Sequence, residues 1–394
     1  MQHADLKSFF LLDPDVVFLN HGSFGACPRP VFAAYQAWQR LLEDQPVRFL
    51  GREFPNYERL ARQALGAYLN VPADHLVFVP NVTYAVNLIA RSLCFSKEDE
   101  ILTSDHEYGA CDYIWEFICQ KTQASYHHHP IELPSATPEE ITDHFWQHVT
   151  KRTRLIFLSH ITSPTALRLP VEQICKRARE ANILTFIDGA HAPGQIPLDL
   201  STISADFYTG NCHKWMLSPK GAGFLYAHPQ VQPLIQPLIV SWGYKTTAQT
   251  SSGSPFIDLL QWTGTHDPAA ILTVPSAIEF MQRYNWPEVA IRSQQLLYQT
   301  LEAISEITHL PPLYNNFSTL QQQMGSAQLP ANTNIALLKN RLYEEYKVEV
   351  PLIEWQNRKL IRVSIQAYNS NMDSQILLDA LQKLLPQVQT NHLL

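Results

Sequence analysis

Short apolar runs alternate with stretches of helical spacing along most of this chain. Val16–Leu19 predicts a short strand or extended segment. Val31, Tyr35, Trp38 and Leu42 recur at helical spacing, which predicts a helix over Val31–Glu43, and Leu60–Leu69 continues in the same manner. Leu76–Val79 then predicts a strand and Asn81–Leu93 a helix. Glu100–Thr103 and Arg154–Ser159 are further strand candidates, with a helix over about Ala110–Lys121 between them. Pro170 opens a helix to Ala181, since a proline at the first helical position loses no intrahelical bond. Ile183–Ile187 is a strand, rich in β-branched residues. The run Asp206–Thr209 and the glycine turn after Ser218 lead to another. Strand and helix alternate throughout Leu76–Tyr226, the pattern of an α/β fold with a mostly parallel sheet and helices on both faces. Thr246–Pro255 reads as a flexible loop and Pro268–Tyr284 as one long helix. From Trp286 onward, helices and alternating strands predict a smaller α+β domain. The expected division is an N-terminal segment 1–20, a large domain 21–284 and a small C-terminal domain 285–394.

Composition narrows the class. The 394 residues suffice for two domains, and 45% hydrophobic with 16% charged residues describes an ordinary globular protein. The net charge of −7, with no basic block, gives no reason to expect nucleic-acid binding. Six cysteines without a CxxC pair imply reduced thiols and a cytoplasmic location, not a disulfide framework or a zinc site. Asp5, Asp13 and Asp15 stand where a secretory leader would be basic and then apolar. The longest uncharged stretch, Gly221–Tyr244, carries three prolines and three glutamines, so no membrane span is expected. His127, His128 and His129 are adjacent on a predicted strand. Their side chains alternate between faces, so they read as a surface feature and no metal site is expected.

Candidate chemistry concentrates between Ile183 and Trp215. Asp188 closes one apolar run and His191 follows it. Lys214 follows the next run, in Gly210-Asn-Cys-His-Lys-Trp. A carboxylate at one strand end and a lysine after another converge at the mouth of a parallel α/β sheet. That pair suits pyridoxal phosphate: the amine condenses with the aldehyde, and the carboxylate keeps the pyridine nitrogen protonated. Asn81 is a natural helix cap. It would leave the first-turn amides of Val82 and Thr83 either to an anion such as phosphate or to an ordinary capped helix. The glycines of Asn20-His-Gly-Ser-Phe-Gly permit a turn or a close approach to a ligand. Arg48 and Arg52 could meet a substrate carboxylate or solvent.

Asp-Gly-Ala-His followed by Thr-Gly-Asn-Cys-His-Lys-Trp resembles the class V aminotransferase family of pyridoxal-phosphate enzymes, in particular its isopenicillin N epimerase-like branch. The resemblance runs over nearly the whole chain. It implies a fold-type I transferase architecture and a homodimer with shared active sites. By resemblance Lys214 carries the cofactor, Asp188 meets the ring nitrogen, and Val82, Thr83, Asn211 and His213 bind phosphate. His191 orients the ring or Asp188. Tyr108, with His106 as the second choice, stacks on the ring, and Ser163 meets its phenolic oxygen. Thr265, in Trp-Thr-Gly-Thr-His-Asp, reaches the partner subunit's phosphate. Asn20 and His21 contact substrate, and Arg362, in Ile-Arg-Val-Ser, grips its carboxylate with two parallel hydrogen bonds.

These residues imply an enzyme acting at the α-carbon of an amino acid or a derivative of one, with Lys214 as general base. Reprotonation from the opposite face gives an epimerase or racemase, loss of a β-sulfur a C–S lyase, and proton return to the cofactor an aminotransferase. A cofactor-binding protein without turnover is the non-enzyme alternative, against which the intact Lys214 and Asp188 speak. The resembling persulfide-forming desulfurases use a cysteine in the C-terminal half. Here the last of Cys27, Cys94, Cys111, Cys119, Cys175 and Cys212 precedes Lys214, so that chemistry is not expected.

Overall fold

Residues 6–134, 137–248, 250–314 and 322–389 are described by the structure, a computed structural model. In chain order the strands are β1 (Val17–Phe18), β2 (Leu76–Val79), β3 (Glu100–Ser104), β4 (Ser125–His129), β5 (Thr153–Ser159) and β6 (Leu184–Gly189). They continue with β7 (Phe207–Asn211), β8 (Gly223–Ala227), β9 (Met324–Leu329), β10 (Val348–Glu349), β11 (Leu352–Trp355) and β12 (Arg358–Ser364). Among the described residues seven of them form one sheet in the order β2-β8-β7-β6-β5-β3-β4, in which only β8 runs against the others.

Helices cover both faces, so the inner strands β3, β7 and β8 are buried along their length and appear in the sequence as short, largely apolar runs. Successive residues still point to opposite sides. Phe157, Phe186, Phe207 and Leu225 pack with Val86, Ile89 and Trp115 of the helices Val82–Ser92 and Gly109–Thr122. Ile156, Leu158, Ile187, Tyr208 and Phe224 join the larger cluster on the other face, with Ile174 and Ala178 of the helix Val171–Glu180. The edge strand β4 bears the histidine triplet. His128 lies 3.2 Å from Asp112 and His129 stacks on His148, and no metal-binding cluster occurs among the described residues.

The C-terminal region is a three-stranded antiparallel sheet, β11-β12-β9, with the helix Trp286–Thr308 on it and the helix Asn371–Val388 packed against that helix. β12 is its central strand, which buries Arg362. β1 pairs in parallel with β10, so the described part of the N-terminal segment, 6–20, is tied to this region. None of the described helices is long and apolar enough to cross a membrane.

One local expectation needs correction. Pro268–Tyr284 is not one helix but two, Ala269–Leu272 and Val274–Arg283. Pro275 has no amide hydrogen to continue the first helix and its ring crowds the preceding turn, so it serves instead at the start of the second. The described part of 246–255 is a loop up to the helix that begins at Pro255, and side chains bond across it. Thr247 and Thr250 bond each other, and the Asp258 carboxylate accepts from Ser251 Oγ at 2.6 Å and from the Ser252 amide at 2.8 Å.

Candidate active site

The carboxyl ends of β6 and β7 bring the central residues together. Asp188 pairs with Thr209 across those strands and with Ser159 of β5 on its other side. Two glycines let other segments cross the loop after β7. Gly25, at φ +71°, presents its α-carbon so closely that a β-carbon would lie 2.1 Å from the His213 carbonyl oxygen. Gly194, at φ +84°, meets the Trp215 backbone in the same way, at 2.4 Å.

Lys214 Nζ lies 3.3 Å from His191 Nε2. Burial, reinforced by the positive charge of Arg362 and opposed by Asp188, lowers the lysine pKa to about 8, so roughly a tenth is free amine at about pH 7, far more than for an ordinary lysine. Asp188 is 3% exposed. Its Oδ1 accepts from the Ala190 amide at 2.8 Å and its Oδ2 from the Cys111 thiol at 3.5 Å. Among the described residues it forms no ion pair, and burial raises its pKa. A buried carboxylate with no ion-pair partner has room for a protonated ring nitrogen.

Asn211 sits at the end of β7 and accepts from the Val82 amide at 3.1 Å. The expectation that this amide is unpaired therefore does not hold, because a side chain from the neighbouring strand end supplies the acceptor. Asn81 caps the same helix through the Tyr84 amide, at 2.9 Å, and Thr83 stands in its first turn. His213 donates from Nδ1 to the Ala222 carbonyl at 2.9 Å, and burial lowers its pKa to about 4.

Arg362 enters from the small sheet. Its Nη1 donates to the carbonyl and the Oγ of Ser163 at 2.7 and 3.1 Å, and its Nη2 to Ser23 Oγ at 3.2 Å. Nε is buried without a partner, no acidic side chain pairs with the guanidinium among the described residues, and burial lowers the pKa to about 10. Ser163 thus faces the arginine. Tyr108 is 49% exposed at the start of the helix Gly109–Thr122 and close enough to act on the charge of Arg362. His106 is engaged elsewhere: its two nitrogens meet Thr165 Oγ1 at 2.6 Å and the Ile131 carbonyl at 2.9 Å.

Asn20 and His21 make protein contacts. Asn20 donates to Glu349 at 3.0 Å and accepts from Ser23 at 2.5 Å. His21 Nε2 donates to the Lys214 carbonyl at 3.2 Å, while Nδ1 lies 3.0 Å from the Tyr368 hydroxyl. Burial lowers the His21 pKa to about 3. Thr265 lies on an exposed turn, and no hydrogen bond ties it to the Lys214 cluster among the described residues. Arg48 is on the surface, 3.3 Å from Glu53, and Arg52 is exposed.

Sequence inspection missed Ser23, Cys111, Trp215 and Glu107 as members of this neighbourhood. The Glu107 carboxyl is buried, accepts from Ser104 Oγ at 2.5 Å and from the amide and Oγ of Ser159 at 2.9 and 2.6 Å, and has its pKa raised by burial to about 8. Its place three residues after the strand that ends at Ser104 was the one signal available. Cys111 carried none.

An unpaired buried carboxylate, a lysine of lowered basicity beside it and an arginine with an unused donor form a donor set that fits pyridoxal phosphate bearing an amino acid. Fold and site together define a fold-type I pyridoxal-phosphate enzyme. The chain belongs to the class-V aminotransferase family, whose model matches residues 47–377. It is 35% identical to isopenicillin N epimerase of Amycolatopsis lactamdurans over 97% of this chain and 98% of that one. It is 28% identical to putative L-cysteine desulfhydrase 1 of Oryza sativa subsp. japonica, over 94% of this chain and 83% of that one. Among solved structures, a C-DES variant with glycine covalently linked to its PLP cofactor superposes with a TM-score of 0.82 at 22% identity, covering 94% of this chain and 97% of that one.

Proposed function

We propose that this protein is a cytoplasmic, homodimeric epimerase or racemase acting at the α-carbon of an amino acid or an amino-acid-derived substrate. The observation that carries this reading is Arg362: a buried guanidinium with an unused Nε and no acidic partner, near enough to Lys214 to lower its basicity. A cleft holding that charge favours a carboxylate, and a planar guanidinium fixes its orientation. Anchored there, the substrate would present its α-carbon toward the Lys214 amine. When bound, the cofactor supplies an electron-withdrawing ring that acidifies the α-hydrogen. Asp188 holds the proton on the ring nitrogen, because its buried negative charge raises the affinity of that nitrogen for it. Lys214 takes the α-proton as general base; its pKa of about 8 balances availability of the free amine against basicity. Ser23 and Ser163 hold the arginine in place.

The 35% identity to isopenicillin N epimerases over nearly the full length supports the epimerase reading over its competitors. The desulfhydrase relatives support a second one, β-elimination from a cysteine derivative. A desulfurase that forms its persulfide on a cysteine of the C-terminal half is disfavoured, since no cysteine follows Cys212. Incubation with a panel of amino acids and short peptides, followed by chiral, sulfide and keto-acid analysis, tests the reading. Inversion at the α-carbon is expected; sulfide or keto acid as the main product would reject it. Borohydride reduction and peptide mapping should place the pyridoxyl label on Lys214, and a label on Lys220 or Lys245 would reject that assignment.

A further inference from the structure

The Lys214 amine faces His191, and His191 in turn faces Trp215. Trp215 Nε1 lies 3.4 Å from His191 Nδ1 and is oriented to donate to it. An indole nitrogen is only ever a donor. The indole is fully buried, its ring packs 4.8 Å from that of His21, and its backbone is pinned beneath Gly194. It cannot turn away. We propose that Trp215 is a positioning residue: its indole N–H holds the neutral His191 imidazole as the Nε2–H tautomer and so aims a hydrogen-bond donor at the Lys214 amine nitrogen.

The neutral imidazole carries one proton. With Nδ1 accepting from the indole, that proton is on Nε2, 3.3 Å from Lys214 Nζ. The opposite tautomer would set Nδ1–H against the indole N–H, two donors face to face in a buried site. The imidazolium is disfavoured too, by burial first and then by the charges of Lys214 and Arg362 around the ring. An Nε2–H donor needs a lone pair to meet. The free amine of Lys214 has one and its ammonium form does not, so the Trp215–His191 pair favours the nucleophilic, proton-accepting state. Asp188 acts in the opposite direction, through its negative charge. A proton taken up by Lys214 also finds no acceptor in His191, whose one basic nitrogen is occupied by the indole, so it stays on the lysine until it is returned to substrate.

The inference rests on Lys214 being the reactive amine, but the tautomer is measured without relying on that. The full-length chain labelled with ¹⁵N-histidine, both freed of cofactor and reloaded, gives the His191 nitrogen shifts once His191→Gln has identified the signal. A protonated Nε2 and an unprotonated Nδ1 are expected in both states. A protonated Nδ1 in the unaltered chain overturns the proposal, whether or not any variant folds. Trp215→Phe keeps an aromatic ring and removes the donor. It should populate the Nδ1–H form and move to higher pH the midpoint for pyridoxal phosphate uptake, followed by the growth of the visible band. An unchanged tautomer in that variant also overturns the proposal. If the unaltered chain takes up cofactor on another lysine, the Lys214 reading fails while the tautomer result still stands.

Discussion

Asp188 and Glu107 are neighbouring buried carboxyls with opposite assignments. Asp188 keeps unshared electron pairs beyond the Ala190 amide and the Cys111 thiol, whereas Glu107 is ringed by Ser104 and Ser159. Asp188→Asn should retain cofactor but slow exchange of the substrate α-hydrogen by about 10²-fold or more, the scale of losing one placed electrostatic group. Exchange at the normal rate, followed by NMR in deuterated water, would remove Asp188 from the chemistry. Glu107 titrates near 8 in the folded chain against an ordinary 4.5. Its folded pKa is the higher one, so the stability it contributes is fully present below the ordinary value and is lost as pH rises through about 8. Glu107→Gln cannot ionise. Its thermal midpoint should therefore drop less than that of the unaltered protein between about pH 6 and about pH 9, and equal drops measured by calorimetry would show that Glu107 is not protonated in the folded state.

The loop from the end of β7 through Lys214 is held by other segments passing close over it, not by secondary structure of its own. Gly25→Ala would add a β-carbon 2.1 Å from the His213 carbonyl at a φ of +71°. With ψ at 168° this backbone is one that glycine alone adopts readily; a residue with a side chain there costs on the order of 1–3 kcal/mol, and the clash would push the His213–Lys214 backbone aside. The variant should fold with reduced cofactor occupancy, read as visible absorbance per chain. Gly253→Ala is the control: its φ is +89° but nothing lies within 4 Å of the added atom, so occupancy should be unchanged. Equal occupancy in both variants would show that the contact does not set the loop. The helix break at Pro275 belongs to the same scale. Helical spacing of apolar residues continued across it, while the missing amide hydrogen decided where one helix stopped and the next began.

For the molecule as a whole, a homodimer is the proposed active unit. Ile239, Val240, Trp242 and Tyr244 are exposed together, Trp242 at 85%, and a run of large apolar side chains of this kind favours association. Thr265, also exposed, is the residue proposed to reach the partner's cofactor phosphate. Mixing Lys214→Ala with Thr265→Ala tests this, provided each is inactive alone. One site of a mixed dimer then receives Lys214 from one chain and Thr265 from the other, and activity should return on subunit exchange. No recovery from chains shown to have exchanged would place Thr265 with its own Lys214, and an active monomer in sedimentation would reject the shared site.

The sequence by itself determined the parallel sheet, its flanking helices and the strand ends that carry Asp188 and Lys214. Burial on both faces makes inner strands read as apolar runs, and turn residues after them mark the cleft. These are local patterns, written within a few residues of each other. Tertiary structure alone decided who meets whom. Arg362 reaches Ser163 and Ser23 across 199 and 339 residues, and Cys111 meets Asp188 across 77. It decided that the Val82 amide is taken by Asn211, that Asn20 and His21 spend their polar atoms on protein partners, and that His106 turns away while Tyr108 stays exposed. It also placed an indole donor on His191. Periodicity records which face a residue shows to the core. The identity of the group waiting on that face depends on how distant segments pack, and no local pattern carries it.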